Sequence, residues 1–271
     1  MTTTANIVSA PPLTKSAILH GLRTRLLGKE MRLLESIDST NSYAKQLLRE
    51  GTLNGVLVAT EEQTDGRGRL GRAWHSEKSA NLTFSLILKN IAVDESLGLV
   101  PIAVGVAVVE SIGASTRLKP ECKWPNDILI DGKKVCGILC ESIPENSKSV
   151  SVIIGIGVNV NQKQFPPEIE HSATSLSIAA QREFDRAEIL SSILNRLEPY
   201  IDLLSGGNPA NILTRWRRYA PMLGKPVTLD QNGAILQGIA KDIDNDGSLI
   251  VETNGKTLHV VAGDVTIEKN L

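Results

Sequence analysis

CKWPNDILIDGKKVCGILCE, residues 122–141, is the stretch whose reading decides the fold. Cys122–Trp124 and Ile128–Ile130 are short apolar runs of strand type, and Lys134–Glu141 is a longer one. Asp131-Gly132 between them suits the φ > 0 pair of a tight two-residue hairpin. This segment therefore predicts antiparallel strands joined by turns. The turn Trp124-Pro125-Asn126-Asp127 reads as exposed beside them.

Working outward toward the N-terminus, Gly98–Ile112 is almost uniformly apolar, and its length favours a buried helix over a strand. Leu82–Leu88 and Val56–Thr60 read as buried strands, with a Gly/Arg-rich loop at 66–72 between them. Asp38-Ser39-Thr40-Asn41 caps a helix running to about Arg49, stopped by Gly51. Met31–Ile37 is the first strand. Before it, Thr14 opens a helical pattern with Ile18, Leu19, Leu22 and Leu26 on one side, ending at Gly28, behind a loose polar lead over residues 1–12. About thirty residues precede Met31, which leaves no room for the helices and hairpin of a winged helix-turn-helix.

Toward the C-terminus, Val150–Val160 is a long strand carrying Gly155 and Gly157. Residues 186–204 place Ile189, Leu190, Ile193, Leu194, Leu197, Ile201 and Leu204 on one helical face, with Asp185 and Glu188 as a capping pair. The pattern changes after Trp216. Val227–Leu229, Ala234–Ile243, Ser248–Glu252, Thr257–Val261 and Val265–Ile267 are short strands, with turn chemistry at Asp246-Gly247 and Asn254-Gly255. A tail of this kind predicts a small SH3-like β-barrel. The whole reads as an α+β chain with a mixed sheet, helices and a separate all-β end.

The 271 residues are 41% hydrophobic and 22% charged, with a net charge of −1. That mix belongs to a globular chain, and the charge balance argues against wholesale coating of nucleic acid. The longest charge-free stretches, such as Ser96–Val109, fall short of the roughly 18 apolar residues of a membrane span. The start of the chain has neither a basic region nor an apolar signal core. Three cysteines without a CxxC pair and four scattered histidines argue against a disulfide framework or a metal cage. The expected location is the cytoplasm, with no membrane and no nucleic-acid partner.

Gly66-Arg67-Gly68-Arg69-Leu70-Gly71-Arg72 is the strongest chemical signal. Its guanidiniums are bidentate oxyanion donors, on a backbone free enough to fold over a phosphate or acyl phosphate. An RGG-like nucleic-acid contact or a solvated loop has the same composition. It is not a Walker loop, since no GK[ST] follows. Asn126 and Asp127 offer an amide and a carboxylate, the latter suited to a metal ion. Lys134 leads into an apolar strand and can serve as a point charge for an anion, whereas Lys133 reads as a surface lysine. The 38–41 cap presents hydroxyls and N–H groups to a polar ligand as well as closing a helix. Gln63 reads equally as a loop hydrogen-bonder. Gly155, Gly157 and Asn159 mark either close approach to a ligand or plain sheet packing. Trp74 and Trp124 could stack on a purine, though burial in the core is the usual role. No GxSxG elbow or Cys–His pair supports nucleophilic hydrolysis.

Taken in order, Asp38-Ser39-Thr40-Asn41, Gln63, Gly66–Arg72 with Trp74, Lys123–Asp127, Lys134 with Gly137-Ile138-Leu139, and Gly155-Ile156-Gly157-Val158-Asn159 resemble the biotin protein ligases. The resemblance spans about residues 31–271. It implies a biotinyl/lipoyl-ligase-like catalytic domain at 31–219, an SH3-like C-terminal domain at 220–271 and an N-terminal extension with a short helix at 1–30. It also implies ATP and biotin as substrates, Mg²⁺, a biotin carboxyl carrier domain of a carboxylase as acceptor, and homodimers, which are common in the family. The reaction would make biotinyl-5′-AMP and pass biotin to a carrier lysine. By position, Ser39, Thr40, Asn41 and Gln63 would hold biotin, with Gly137 and Gly155 lining its pocket. Arg67, Gly68 and Arg69 would order over biotin and adenylate. Lys134 would contact the biotin carboxylate and activated phosphate, making Lys134, Arg67 and Arg69 the catalytic set. Asn126, Asp127, Asn159, Arg72 and Trp74 would serve the nucleotide, with Asp127 near Mg²⁺.

Two residues depart from the family pattern: Asp65, where a small residue is expected, and Cys136, in place of Ala or Gly. The short lead implies the form without a DNA-binding domain and hence no repressor activity. The nearest alternatives are a lipoate or octanoate ligase, and a non-catalytic protein that binds biotin or nucleic acid.

Overall fold

Asp131 and Gly132 have φ of 50° and 75°, the two left-handed residues a tight hairpin needs. They join β5 (Asp127–Ile130) to β6 (Lys133–Pro144) antiparallel. This hairpin extends a seven-stranded sheet that also contains β1 (Met31–Ile37), β2 (Leu57–Gln63), β3 (Leu82–Ala92), β4 (Glu121–Lys123) and β7 (Ser149–Val158), in the order β1-β2-β3-β7-β6-β5-β4. The computed structural model describes residues 11–231 and 233–268; the predicted polar lead at 1–10 lies outside them. β1 and β2 run parallel, which requires a crossover, and α2 (Thr40–Arg49) supplies it. The other neighbouring pairs are antiparallel, so the sheet is mixed, as the sequence predicts.

Both faces are covered, which explains why β3 is buried at each position from Leu82 to Leu88. Leu82, Phe84, Leu86 and Leu88 belong to the main core with α3 (Val100–Thr116) and α5 (Arg186–Ser205). Ile87 instead joins Ile153, Val56 and Val58 under Ala44 and Leu47 of α2. Strand alternation then puts Thr83 and Ser85 of β3, Gly155 and Gly157 of β7, and Gly137, Leu139 and Glu141 of β6 on the α2 face. The register lines them up: Thr83 pairs with Gly157, which pairs with Gly137, and Ser85 pairs with Gly155, which pairs with Leu139.

The helix reading at Gly98–Ile112 holds, with bounds shifted. Leu97–Thr116 forms a helical stretch of 20 residues, long and apolar enough to cross a bilayer and longer than the charge-free run at 96–109 suggests. Twelve of the residues of α3 are nonetheless buried within the protein, from Val100 to Thr116.

The first helix is shorter than predicted. α1 spans Lys15–Gly21, and Leu19 and Leu26 are exposed while Ile18 and Leu22 are buried. The cause lies in α5, where the Glu198 carboxylate accepts the backbone N–H groups of Arg25, Leu26 and Leu27 at 2.6–2.9 Å. A carboxylate that takes these donors removes the advantage of continuing the helix. Two further helices, α4 (Leu176–Ala180) and α6 (Ala210–Tyr219), have no counterpart in the sequence reading.

The C-terminal part is a five-stranded antiparallel sheet of β8 (Pro226–Gln231), β9 (Ala234–Ile243), β10 (Leu249–Thr253), β11 (Lys256–Val260) and β12 (Asp264–Ile267), ordered β11-β10-β9-β8-β12. Its SH3-like character agrees with the prediction. Trp124 corrects another expectation: the Trp-Pro turn reads as exposed, but Trp124 is 2% exposed. Its backbone N–H faces Met222 Sδ at 3.3 Å, and its indole Nε1 donates to Gly247 O at 3.0 Å. A large apolar ring with one donor is best satisfied at this seam between the two sheets, so Trp124 is unavailable for stacking on a base.

Candidate active site

The glycines at 137, 155 and 157 leave a stretch of the central sheet without side chains, and a cavity of about 330 Å³ opens over it. A Cβ on Gly157 would stand 2.5 Å from Trp74 Cζ2 and 2.7 Å from Trp74 Nε1, and one on Gly137 3.0 Å from Trp74 Cζ3. The indole therefore lies flat on this floor. A Cβ on Gly155 would collide with the Asn41 amide. These glycines are required by close approach, not merely by the sheet.

The N-terminus of α2 forms one wall. Ser39 caps the helix, accepting from Ser42 N at 3.4 Å. Thr40 donates its N–H to Gln63 Oε1 at 2.8 Å, with its hydroxyl 3.1 Å from the same oxygen. Asn41 Nδ2 donates to Glu141 Oε2 at 2.8 Å, and the Ser85 hydroxyl lies 2.6 Å from Asn41 Oδ1 and 2.7 Å from Thr40 Oγ1. Burial pushes the Glu141 carboxyl up, but hydrogen bonds from Lys45 and Asn41 outweigh it and hold the group below the usual carboxylate range. Lys45 Nζ stands 2.6 Å from the other Glu141 oxygen.

At the opposite end, Lys134 is fixed through its backbone: its N–H donates to Ser172 O at 2.7 Å and its carbonyl accepts from Thr174 N at 2.9 Å. Its Nζ lies 2.6 Å from Asp127 Oδ1 and 5.7 Å from the Trp74 ring centre. Asn126 donates to Ile138 O at 2.7 Å and accepts from Arg69 Nη1 at 3.1 Å. Asn159 donates to Thr174 O at 3.0 Å, while its Oδ1, like Trp74 Nε1, is buried without a hydrogen-bond partner among the described residues. Unsatisfied buried atoms lining a cavity are those a bound ligand would engage.

The arginine loop forms the lid. Gly68 N donates to Arg72 O at 2.7 Å and Trp74 N to Gly66 O at 2.8 Å, closing the loop on itself. Arg67 pairs with Asp65 at 2.9 Å, so the unexpected acid neutralises its neighbour. That hydrogen bond raises the Arg67 guanidinium further above its ordinary value. Arg72 pairs with Asp264 of β12, and Arg69 lies 3.7 Å from the same carboxylate and donates to Gly263 O at 3.3 Å. The other departure is inert: Cys136 is fully buried, and burial pushes its thiol up.

The fifteen residues that the resemblance assigns to the site all line this one cavity, whereas Trp124 does not. The sequence reading missed Asp264, Thr83, and Phe165, Ile169, Ser172 and Ala173 of the segment before α4, which line it too. It also missed Ser85 and Glu141, which stand behind the α2 wall. Asp127 is one carboxylate beside a lysine, and no group of three or more His, Cys, Asp or Glu residues suited to a metal occurs among the described residues. One carboxylate is an ordinary protein contribution to Mg²⁺ that arrives with substrate phosphates.

A mixed sheet whose glycine floor lies between an arginine loop and a basic residue, followed by an SH3-like sheet, defines an acid-activating ligase class. Residues 33–159 match the biotin/lipoate A/B protein ligase family and residues 222–267 the biotin protein ligase C-terminal domain. The bifunctional ligase/repressor BirA of Bacillus subtilis is 38% identical over 260 residues, covering 94% of this chain and 79% of that protein. The biotin–[acetyl-CoA-carboxylase] ligase of Mycobacterium tuberculosis is 33% identical, covering 94% and 96%. The Aquifex aeolicus biotin protein ligase, solved with biotin and ATP, superposes with a TM-score of 0.77 at 28% identity, covering 89% of this chain and 100% of that one. The chain belongs to the biotin protein ligase family.

Proposed function

We propose that the protein activates biotin with ATP and transfers it to a lysine of a biotin carboxyl carrier domain. A biotin carboxylate oxygen attacks the α-phosphorus of ATP, the bond to pyrophosphate breaks, and biotinyl-5′-AMP forms. The carrier ε-amine then attacks the acyl carbon, AMP leaves, and the amine loses a proton. No protein nucleophile is consumed. The work is positioning and charge neutralisation.

The observation that carries this reading is the placement of Lys134 Nζ at the end of a side-chain-free floor, under a loop of three arginines. Ser39, Thr40, Asn41 and Gln63 take the polar head of biotin, and Gly137 and Gly155 line its path. Lys134 meets the carboxylate and the α-phosphate. Asn126, Asp127, Asn159, Arg72 and Trp74 take the nucleotide, with Asp127 supplying one oxygen to Mg²⁺. Residues 31–219 carry the chemistry, and 220–271 hold the loop through Asp264. Repression stays outside the proposal. Biotin-dependent binding to a defined operator fragment overturns that part.

ATP–pyrophosphate exchange with Mg²⁺ and biotin, lipoate or octanoate in parallel tests the activity. Exchange is expected with biotin; exchange confined to lipoate or octanoate moves the protein to the sister activity, and none with any acid leaves a binding protein.

Arg69→Ala is expected to let biotinyl-AMP escape without abolishing its synthesis. A charge-assisted hydrogen bond contributes about 1.5–3 kcal/mol, so release should rise roughly ten- to hundredfold. Chromatography of the free adenylate reads this directly, and unchanged retention removes the role given to the loop.

A further inference from the structure

The three guanidiniums of the arginine loop are not held alike. Arg72 and Arg69 both reach Asp264 of β12, and Arg69 also donates to Gly263 O at 3.3 Å and Asn126 Oδ1 at 3.1 Å. These contacts fasten the lid to the C-terminal sheet and to the turn before β5. Arg67 is held differently. Its Nη2 and Nε donate to Oδ2 of Asp65, two residues back, at 2.9 and 3.2 Å. The Arg67 side chain is 55% exposed and that of Asp65 65%. Arg67 lines the cavity and Asp65 does not, so this guanidinium is turned to an acid that stands outside the site.

The backbone around the pair is fixed. Asp65 N donates to Asp38 O at 2.9 Å, Gly68 N to Arg72 O at 2.7 Å and Trp74 N to Gly66 O at 2.8 Å, and Arg67 forms a β-bridge with Ala73. Rearrangement is left to the side chains. An ion pair this open to water is weak, and a phosphate oxygen can take the same two donors as a carboxylate. An acyl phosphate in the cavity therefore competes with Asp65 for Arg67.

We propose that Asp65 is a positioning residue that holds the Arg67 guanidinium outside the cavity until an acyl phosphate displaces it, and so shortens the time for which the lid retains biotinyl-5′-AMP. The inference rests on the ligase reading above and concerns the residue at which the loop departs from the family pattern. When Arg67 engages the adenylate it gives up Asp65, so the gain is the difference between two ion pairs rather than the whole of one. Without the acid, Arg67 gives up only water. Arg69 and Arg72, tied to Asp264, keep the lid in place throughout.

The test follows escape of biotinyl-5′-AMP from the protein after biotin and ATP are removed by gel filtration, read by chromatography. Asp65→Ala should slow escape about two- to fivefold at low ionic strength, the range of an exposed ion pair. Asp65→Asn, which keeps an acceptor oxygen without the charge, should show part of that slowing. Added salt should draw both variants toward the unaltered chain, since exposed charges are screened. In an Arg67→Ala background the substitution at 65 should change nothing. Because Asp65 is exposed, neither variant is expected to unfold the chain. Escape from Asp65→Ala as fast as from the unaltered chain overturns the inference. So does slowing that persists without Arg67, since it traces to plain repulsion between Asp65 and the phosphate. Both results leave the proposed function standing, whereas no biotinyl-5′-AMP from the unaltered chain overturns the function and this inference with it.

Discussion

Lys134→Ala removes nearly all adenylation, with ATP–pyrophosphate exchange falling by about 10²-fold or more, the usual loss when a preorganised charge is deleted from a developing oxyanion. The geometry accounts for the size. The backbone of Lys134 is held on both sides by the segment at 172–174. Its side chain lies where a Cβ on Gly137 would be 3.1–3.2 Å from Cε and Nζ. A missing methyl group at 137 therefore makes room for a cation along the floor, and the Asp127 carboxylate at 2.6 Å keeps it in place. When a biotin carboxylate approaches the α-phosphate, two anions must be brought together, and this ammonium is the fixed positive charge nearest the floor. Lys134→Arg does not restore the rate, because a planar guanidinium is larger and cannot reproduce a compact point charge. Near-normal exchange in Lys134→Ala shows that the lysine has been given the wrong task.

The largest effect on stability is expected at Arg186. This arginine has a side chain only 2% exposed and pairs with Glu61 at 2.6 Å. It also donates to Pro11 O at 2.8 Å and Asn81 O at 3.2 Å, while Glu61 accepts from Leu13 N at 2.6 Å. The pair thus ties the segment before α1 and the start of α5 to β2, two residues before Gln63. Arg186→Ala strands a buried carboxylate and costs about 3–5 kcal/mol, a fall in Tm of roughly 10 °C for a chain of this size. A double variant, Arg186→Met with Glu61→Leu, recovers most of the loss, because it leaves no unpaired charge.

The pH dependence has a defined sign. Burial pushes Glu61 up, but the hydrogen bonds from Arg186 and Leu13 outweigh it and hold the carboxyl below its ordinary value. Its contribution is therefore full above the unfolded glutamate range and is lost as pH falls through the lowered folded value. Thermal melts of the unaltered chain and of Arg186→Ala should draw together in acid. A Tm for Arg186→Ala within about 2 °C of the parent at neutral pH removes the argument.

Much of this was legible in the sequence because it is written in local chemistry. The Asp131-Gly132 turn and the Asp185 cap each declare a backbone geometry through a few adjacent residues. What stayed hidden depends on distant partners. Nothing near Leu22 announces that Glu198 will take the next backbone donors, and nothing near Trp124 announces that Met222 and Gly247 will bury it. Thr83 and Ser85 vanish into an apolar run, since a strand covered on both faces shows no alternation to mark them. Asp264 looks like any acid in a short strand. Its meaning depends on a loop 192 residues earlier in the chain.

That separation has a consequence for how the protein is made. The arginine loop leaves the ribosome early and the acid that anchors it leaves late, while the strands of the large sheet are complete by residue 158. Because domains fold as units in order of synthesis, a growing chain passes through a stage in which the loop has its contacts with Asp65 and Asn126 but not yet its tie to Asp264. The full set of contacts on the loop thus arrives only with translation of the final sheet, as a late step in biogenesis.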